Sequence, residues 1–300
     1  MAEEKPHISV CICTYKRPGL LKGLIEELGH QVTAGLFTYS IVVADNDESQ
    51  SAKTVVSEFA ARSDIAITYC VQPRRNIALA RNTTVENATG DFIAFIDDDE
   101  FPTKRWLLTL LNACYKYGTD GVLGPVMPYF DENTPRWVIK GGFYDRPTHP
   151  TGMRLVWSQT RTGNVLMRSR LFVEGQRFNP AFLAASDQAF FRTAITKGHT
   201  FSWCNEAIVY EVIPPGRCKR SFLVRKALFK GAFSRRIAGS ALFPFALSFI
   251  AAPAYFAALP IALVLGQATF MKYTFKFCYH LGRLLALVGV NPIKEPYVTV

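Results

Sequence analysis

Through its first 130 residues the chain alternates short, almost wholly apolar runs with longer stretches of helical patterning. HISVCICT (7–14), TYSIVVA (38–44), IAITYCV (65–71), FIAFI (92–96) and GVLGPVM (121–127) read as strands. Residues 18–30, 50–62, 76–88 and 103–117 read as the intervening helices, the third weakened by Thr83 and Thr84 and the fourth capped by Thr103 or a preceding acid. Strands that alternate with helices imply βαβ units and a mostly parallel sheet. Strands apolar on both faces agree, because a parallel sheet is covered on both sides. Residues 128–161 are rich in Pro, Gly and aromatics and read as a long loop region with room for antiparallel strands. Order resumes with a strand at TGNVLMRS (162–169), a helix at SDQAFFRTAITKG (186–198) and a strand at HTFSWC (199–204).

The fourth strand runs into Asp97, Asp98, Asp99 and Glu100. In an open α/β sheet, ligands bind beyond the carboxyl ends of the strands, where these acids stand. Adjacent carboxylates in a cleft repel one another and raise at least one pKa. A divalent cation relieves that repulsion, and Mg²⁺ and Mn²⁺ are held by one or two carboxylates together with phosphate oxygens. Helix capping by Asp99 or Glu100 is the plainer account, but a cap needs one acid rather than four. No GxGxxG follows a strand and no GxxxxGK[ST] loop is present, which argues against a dinucleotide dehydrogenase and a P-loop ATPase.

Other strand ends carry matching chemistry. The first ends in Thr14, Tyr15, Lys16 and Arg17, and the second in Asp45 and Asp47. Asp45 stands where a carboxylate would accept a nucleobase N–H; an Asp-rich turn is the alternative, and it suits Asp47 better. Arg81, on the helix before the acid-bearing strand, is either a diphosphate ligand or a surface arginine. Asp187 reads as an acid in the first turn of a helix or as a general base.

SVCICTYKRP, VVADND, NIALARN, FIAFIDDDE, TGNVLMRS and FLAASDQAFF occur in an order that resembles family 2 glycosyltransferases of the GT-A fold, over roughly residues 7–215. The resemblance implies an inverting transfer from a nucleotide sugar. It implies that Asp97 and Asp99 hold a divalent cation, Mn²⁺ or Mg²⁺, with Asp97 or Asp98 near the donor ribose. It places Thr14 and Asp45 at the nucleoside, Arg81 near the donor and Asp187 as the base. The usual Glu–Asp pair is here Ser186–Asp187. Glu211 and Arg217, flanking VIPPG, fall where relatives carry a motif near the acceptor or diphosphate. Trp137 and Trp157 are candidates for stacking on the acceptor.

The excess charge lies at one end. Of a net +10, residues 216–300 hold 12 Lys/Arg against one acid, Glu295. Within them, residues 237–271 carry no charge for 35 residues, more than the roughly 20 of a spanning helix. Arg225, Lys226, Lys230, Arg235 and Arg236 precede this run, and Lys272, Lys276 and Arg283 follow it. Cations on both flanks point to both ends on the cytoplasmic side. Pro244, Pro253 and Pro260 favour a re-entrant hairpin or interfacial helices over one straight span. A buried helical pair in a soluble fold is the alternative. Cations around an apolar run, rather than interleaved with stacking aromatics, argue against a nucleic-acid partner.

The seven cysteines are scattered without a CxxC pair, and the N-terminus, MAEEKPHISV, lacks a secretory pattern, so the expected setting is cytosolic and reducing. The five histidines show no ligand spacing. The chain is thus expected to comprise a catalytic domain, 1–215, and a basic, hydrophobic helical membrane-association region, 216–300. The basic segment and apolar tail resemble the bacterial exopolysaccharide subgroup. That resemblance implies a UDP-sugar donor, a lipid-linked saccharide acceptor and a place on the cytoplasmic face of the bacterial inner membrane. A sugar-phosphate nucleotidyltransferase would need a Gly-rich N-terminal loop, where this chain has CTYKRPGLL. A non-catalytic binder would not need Asp187.

Overall fold

The computed structural model describes residues 5–182, 186–238 and 243–290, without the side chains of 235–238 and 243–245. Leu183–Ala185, the side chains of Arg235, Arg236 and Pro244, and Glu295 lie outside the described residues.

The elements run β1 (His7–Thr14), α1 (Pro18–Leu28), β2 (Thr38–Asp45), α2 (Lys53–Ala60), β3 (Ile67–Val71), α3 (Ile77–Glu86), β4 (Phe92–Phe95), β5 (Glu100–Pro102), α4 (Trp106–Tyr117), β6 (Gly121–Leu123), β7 (Val126–Tyr129) and α5 (Arg136–Gly141). They continue with β8 (Val165–Arg168), α6 (Arg170–Val173), α7 (Ser186–Thr196), β9 (Phe201–Trp203), β10 (Val209–Val212), α8 (Arg220–Ala238), α9 (Phe243–Ala257), α10 (Leu259–Val264) and α11 (Gln267–Leu287). The expected βα alternation is present, with the ends shifted by a few residues.

One seven-stranded sheet has the order β3-β2-β1-β4-β8-β6-β9. Its β1–β2, β2–β3, β1–β4 and β6–β9 pairs are parallel, whereas β8 runs antiparallel to both β4 and β6. Side chains of β1 alternate between two layers. Ile8, Val10 and Ile12 pack with α1, α2 and α4, while Cys11 packs with α3 and α7 residues. The sheet is therefore sandwiched, and its apolar-on-both-faces strands follow from that burial.

Three expectations are corrected. The strand at 121–127 is two strands, β6 and β7, separated at Gly124–Pro125. Proline cannot donate to a ladder, so the break falls where β7 leaves for a second, three-stranded sheet, β5-β10-β7. The aperiodic region 128–161 holds α5 and a short helical turn, Trp157–Gln159, with one isolated antiparallel bridge between Arg154 and Ser202. Nor is α4 capped by Thr103 or an acid: its N-cap is Arg105, without a side-chain bond. Gln31 serves instead from 76 residues away, accepting from Leu107 N at 3.2 Å while its amide donates to the Thr103 carbonyl at 2.9 Å.

The chain divides into two compact units, 1–128 with 146–212, and 129–145 with 213–300. The division expected at 215/216 thus falls near the observed one, but residues 129–145 belong with the C-terminal unit. That unit has its own core of Val138, Tyr144, Ile213, Cys218, Leu223 and Met271. Among the described residues no helix is long and apolar enough to cross a membrane.

Asn164 fixes the junction of β6 and β8 in the larger sheet. It is fully buried and left-handed, with φ of 63°. Its oxygen accepts from Trp106 Nε1 at 2.7 Å, and its amide donates to the carbonyls of Pro125 and Ala207 at 2.8 and 2.7 Å. Asn164→Ala strands three buried polar groups, each costing about 1–3 kcal/mol. Equilibrium denaturant unfolding should show a loss of roughly 3 kcal/mol or more; a loss within about 0.5 kcal/mol, the range of an ordinary surface change, contradicts this role.

Candidate active site

The carboxyl ends of β1, β2 and β4 lie side by side, because β1 pairs with both of its neighbours in parallel and Thr14 is in register with Asp45. The acid run follows β4 as a tight turn, in which Glu100 N donates to the Asp97 carbonyl at 3.0 Å. Burial alternates along it: Asp98 and Glu100 are 6% and 2% exposed, whereas Asp97 and Asp99 are half-buried. Asp98 and Glu100 are thus enclosed more fully than Asp97 and Asp99.

Asp98 is held from behind. Thr14, itself buried, donates its hydroxyl to Asp98 Oδ2 at 2.8 Å, and Arg17 Nη1 reaches Asp98 Oδ1 at 3.1 Å and Asp99 Oδ2 at 3.3 Å. Burial nevertheless pushes the Asp98 carboxyl up to about 6, with Arg17 opposing it. In this structure Asp98 and Thr14 brace the turn rather than open onto a ligand.

Glu100 accepts from Asp97 N at 3.1 Å through Oε2, and among the described residues its buried Oε1 has no hydrogen-bond partner. Glu100 also sits opposite Glu211 across the β5–β10 pair, an arrangement that costs free energy for like charges. Arg146 answers this charge. It is ion-paired to Glu211, and Glu211, Glu100 and Asp97 together raise its pKa despite burial. Burial raises the pKa of Asp97 and, strongly, that of Glu100. Arg161 completes the group: burial, then the Arg146 charge, lowers its pKa to about 10. The Arg161 guanidinium lies 5.7 Å from the Trp203 ring centroid, and its buried Nε lacks a partner among the described residues.

Gly163, one residue before Asn164, makes the packing possible. A Cβ there would lie 2.8 Å from Glu100 Oε1 and 3.1 Å from Asp97 Oδ2. The backbone closes over the acids because nothing protrudes from it.

Arg81 links the acids to the start of α7. Its charge lowers the pKa of Asp97, its Nη1 donates to Ser186 Oγ at 3.3 Å, and its guanidinium lies 5.6 Å from the Phe178 ring centroid. Asp187 follows Ser186 in the first turn of α7, half-buried, with Oδ1 accepting from Gln188 N at 2.9 Å. Asp187 is thus a helix-start acid, next to the Ser186 that receives Arg81.

Asp45 differs from its expected part. It is wholly buried, with Oδ1 accepting from Asp47 N at 3.1 Å and Oδ2 from Ala52 N at 2.8 Å and the Tyr69 hydroxyl at 2.9 Å. The neighbouring Asn46 donates to the Gln72 and Arg74 carbonyls and accepts from Asn76 N. Asp45 and Asn46 knot the loops at this sheet end together, and a contact from Asp45 to a nucleobase is not open in this conformation.

Sequence reasoning brought together Thr14, Arg81, Asp97, Asp98 and Asp99 and missed Arg146 and Arg161, which lie in the stretch without periodicity. The available signal was electrostatic: five acids at one sheet end, counting Glu211, require more cations than Arg17 and Arg81 supply. Among the described residues no three His, Cys, Asp or Glu side chains converge as a ready metal cage. The less buried pair Asp97 and Asp99, and an enclosed acid with an unpartnered oxygen, nonetheless fit a hard cation completed by phosphate oxygens.

A sandwiched, mostly parallel sheet carrying an Asp-x-Asp turn at its carboxyl edge defines the class, a GT-A sugar-transferring enzyme. The family model "Glycosyl transferase family 2" matches residues 9–172, and the chain belongs to this family. It is similar to the succinoglycan biosynthesis protein ExoM of Rhizobium meliloti, with 33% identity over 79% of this chain and 77% of that one. Among solved structures, mannosyltransferase PcManGT from Pyrobaculum calidifontis in complex with GDP-Man and Mn²⁺ superposes with a TM-score of 0.60 at 18% identity, over 94% of this chain and 88% of that one. S. aureus TarS 1-349 in complex with UDP-GlcNAc gives 0.57 at 14% identity, over 94% and 92%. The chain is a nucleotide-sugar-dependent glycosyltransferase.

Gly163→Ala tests the geometry. The added methyl must displace the Glu100 and Asp97 carboxylates, and misplacement of a reacting group by about 1 Å costs on the order of 100-fold in rate. Transferase activity should fall by about tenfold or more while far-UV circular dichroism is unchanged. Full activity would show that the turn tolerates displacement.

Proposed function

We propose that the chain transfers one hexosyl unit, glucose from UDP-glucose, with inversion onto a hydroxyl of a lipid-linked saccharide during bacterial exopolysaccharide synthesis, at the cytoplasmic face of the inner membrane. The observation that carries the catalytic part is the alternating burial of the acid turn. It leaves Asp97, beside Arg81, and Asp99, which Arg17 also reaches, less buried than Asp98 and Glu100.

Asp97 and Asp99 would hold the divalent cation, Mn²⁺ or Mg²⁺. When bound, it offsets the charge that develops on the departing diphosphate. Arg81 adds a fixed cation on the side of α7 and opposes the rise that burial causes in the Asp97 pKa. Asp187 takes the proton from the attacking acceptor hydroxyl. A single base without a covalent intermediate inverts the anomeric centre. Ser186, in the place of the usual Glu, donates no charge and instead receives Arg81.

The donor and acceptor readings rest on likeness and composition. Similarity to a succinoglycan biosynthesis protein supports exopolysaccharide synthesis, and the basic, apolar C-terminal unit supports a lipid-linked acceptor.

Turnover of UDP-glucose with lipid-linked saccharide acceptors tests the reading, following UDP release and the anomeric configuration of the product by NMR. Asp187→Asn should lower kcat by roughly 100- to 10,000-fold, the usual contribution of a general base, while UDP affinity stays within about twofold. Retention of the anomeric configuration, or an Asp187→Asn enzyme with near-normal kcat, contradicts the assignment.

A further inference from the structure

The C-terminal unit exposes an extended run of apolar side chains. From Ala246 to Gly266 every exposed residue is apolar. Leu247, Phe249, Ile250 and Phe256 of α9 are 54–72% exposed, and Ile261, Leu263, Val264 and Leu265 at α10 are 60–88% exposed. Soluble monomers rarely show contiguous apolar patches beyond a few hundred Å².

The helices that carry this surface form an antiparallel arrangement around α11. Ser248 Oγ lies 3.0 Å from His280 Nδ1, and Tyr255 and Phe256 of α9 meet Tyr273 and Phe277 of α11 at ring-centroid distances of 5.7 and 5.4 Å. On α8, a Cβ at Gly231 would lie 2.0 Å from the Tyr279 carbonyl oxygen, and one at Gly282 would lie 2.3 Å from that of Leu228. Helix α11 is thus gripped by α8 and α9, with α10 at the turn between α9 and α11. Among the described side chains of α9 only a narrow stripe is covered, with Ser248 and Ala252 buried and Tyr255 half-buried against α11.

We infer that α9 and α10 insert into one leaflet of an anionic bilayer, with the cations of α8 and α11 at the headgroups. This deepens the membrane setting proposed above and rests on it. Three observations favour lipid over a protein partner. The apolar exposure runs around most of α9, whereas a protein groove covers a stripe. Exposed Arg225, Lys230, Lys272 and Lys276 accompany it, and the sequence from Ile213 to Val290 contains no acid, so a second copy of this surface would bring like charges together. Tyrosines and lysines share one level: Lys276 Nζ lies 5.3 Å from the Tyr255 ring centroid, which faces Tyr273, the arrangement of a membrane–water boundary.

The depth follows from length. Helix α9 has 15 residues, about 22 Å, short of the roughly 30 Å hydrocarbon core. Helix α11 is longer but carries Lys272, Lys276 and Arg283. Helices too short or too charged to span lie in the interface, at a depth of roughly 5–10 Å.

Flotation of the full chain with vesicles of phosphatidylglycerol and phosphatidylcholine tests this. The wild type should float with the anionic mixture and bind pure phosphatidylcholine more weakly. Phe249→Ser/Ile250→Ser/Leu263→Ser/Val264→Ser should bind at least roughly 100-fold less, a floor for removing four large side chains from the apolar phase. These side chains are exposed, so UDP affinity and circular dichroism should not change. In wild-type background, Val264→Trp should be quenched more by lipids brominated high on the acyl chain than near its end. Equal flotation of the quadruple variant, or its conversion of a wild-type dimer into a monomer without change in flotation, overturns the proposal. Strongest quenching near the chain end overturns the one-leaflet depth. Loss of UDP binding with flotation intact would instead count against the catalytic reading.

Discussion

Concentrating four carboxylates at the end of a buried strand is the constraint on which the rest of the site depends. Charge cannot be buried without partners, because the attraction between paired ions must offset the loss of water around each. The chain meets this in three ways at once. It encloses Asp98 and Glu100 more deeply than Asp97 and Asp99. It sets cations from distant segments around them: Arg17 from the start of α1, Arg81 from α3, and Arg146 and Arg161 from the region between the two sheets' strands. It also brings the Gly163 backbone against Asp97 and Glu100. The compensation is incomplete, as the raised pKa values of Asp97, Asp98 and Glu100 and the unpartnered oxygen of Glu100 show. A cluster left short of positive charge is one that a divalent cation completes.

The parallel sheet makes this convergence possible. Parallel pairing of β2, β1 and β4 brings their carboxyl ends to a single edge, so residues 14, 45 and 97 become neighbours although they are far apart in sequence. Helix α3 then places Arg81, and α7 places Ser186 and Asp187, on one side of the turn. The antiparallel β8 contributes from the other side, because the chain enters it through Thr162, Gly163 and Asn164. Asn164 therefore joins fold to site, tying Trp106, Pro125 and Ala207 together one residue from the glycine that packs against the acids.

Much of this was legible locally. The strand β1 spans the residues read from its apolar run, and the alternation of strands and helices held because parallel strands covered on both faces must be apolar throughout. The acid turn announced itself by its position after β4. What escaped was non-local. The antiparallel direction of β8 depends on pairing with strands some 40 and 70 residues earlier. Capping of α4 by Gln31 bridges 76 residues, which no capping pattern can register. Arg146 and Arg161 lie in a stretch whose order comes from tertiary contacts rather than periodicity. Asp45 looked like a ligand because it ends a strand beside Thr14, but its oxygens are occupied by Asp47 N, Ala52 N and the Tyr69 hydroxyl. In the C-terminal unit, the apolar run is divided among α9, α10 and the start of α11. Pro260 stands in the first turn of α10, whereas Pro253, expected to break a helix, is accommodated inside α9.

The most direct test of the account is calorimetric titration of the full chain, in detergent, with UDP in the presence and absence of Mn²⁺. The central claim is that Asp97 and Asp99 hold the cation that receives the diphosphate. The account predicts Mn²⁺-dependent UDP binding that is lost in Asp99→Asn and strongly weakened in Asp97→Asn, with both variants folded. UDP binding of equal strength with and without divalent cations, or unchanged in either variant, would contradict it.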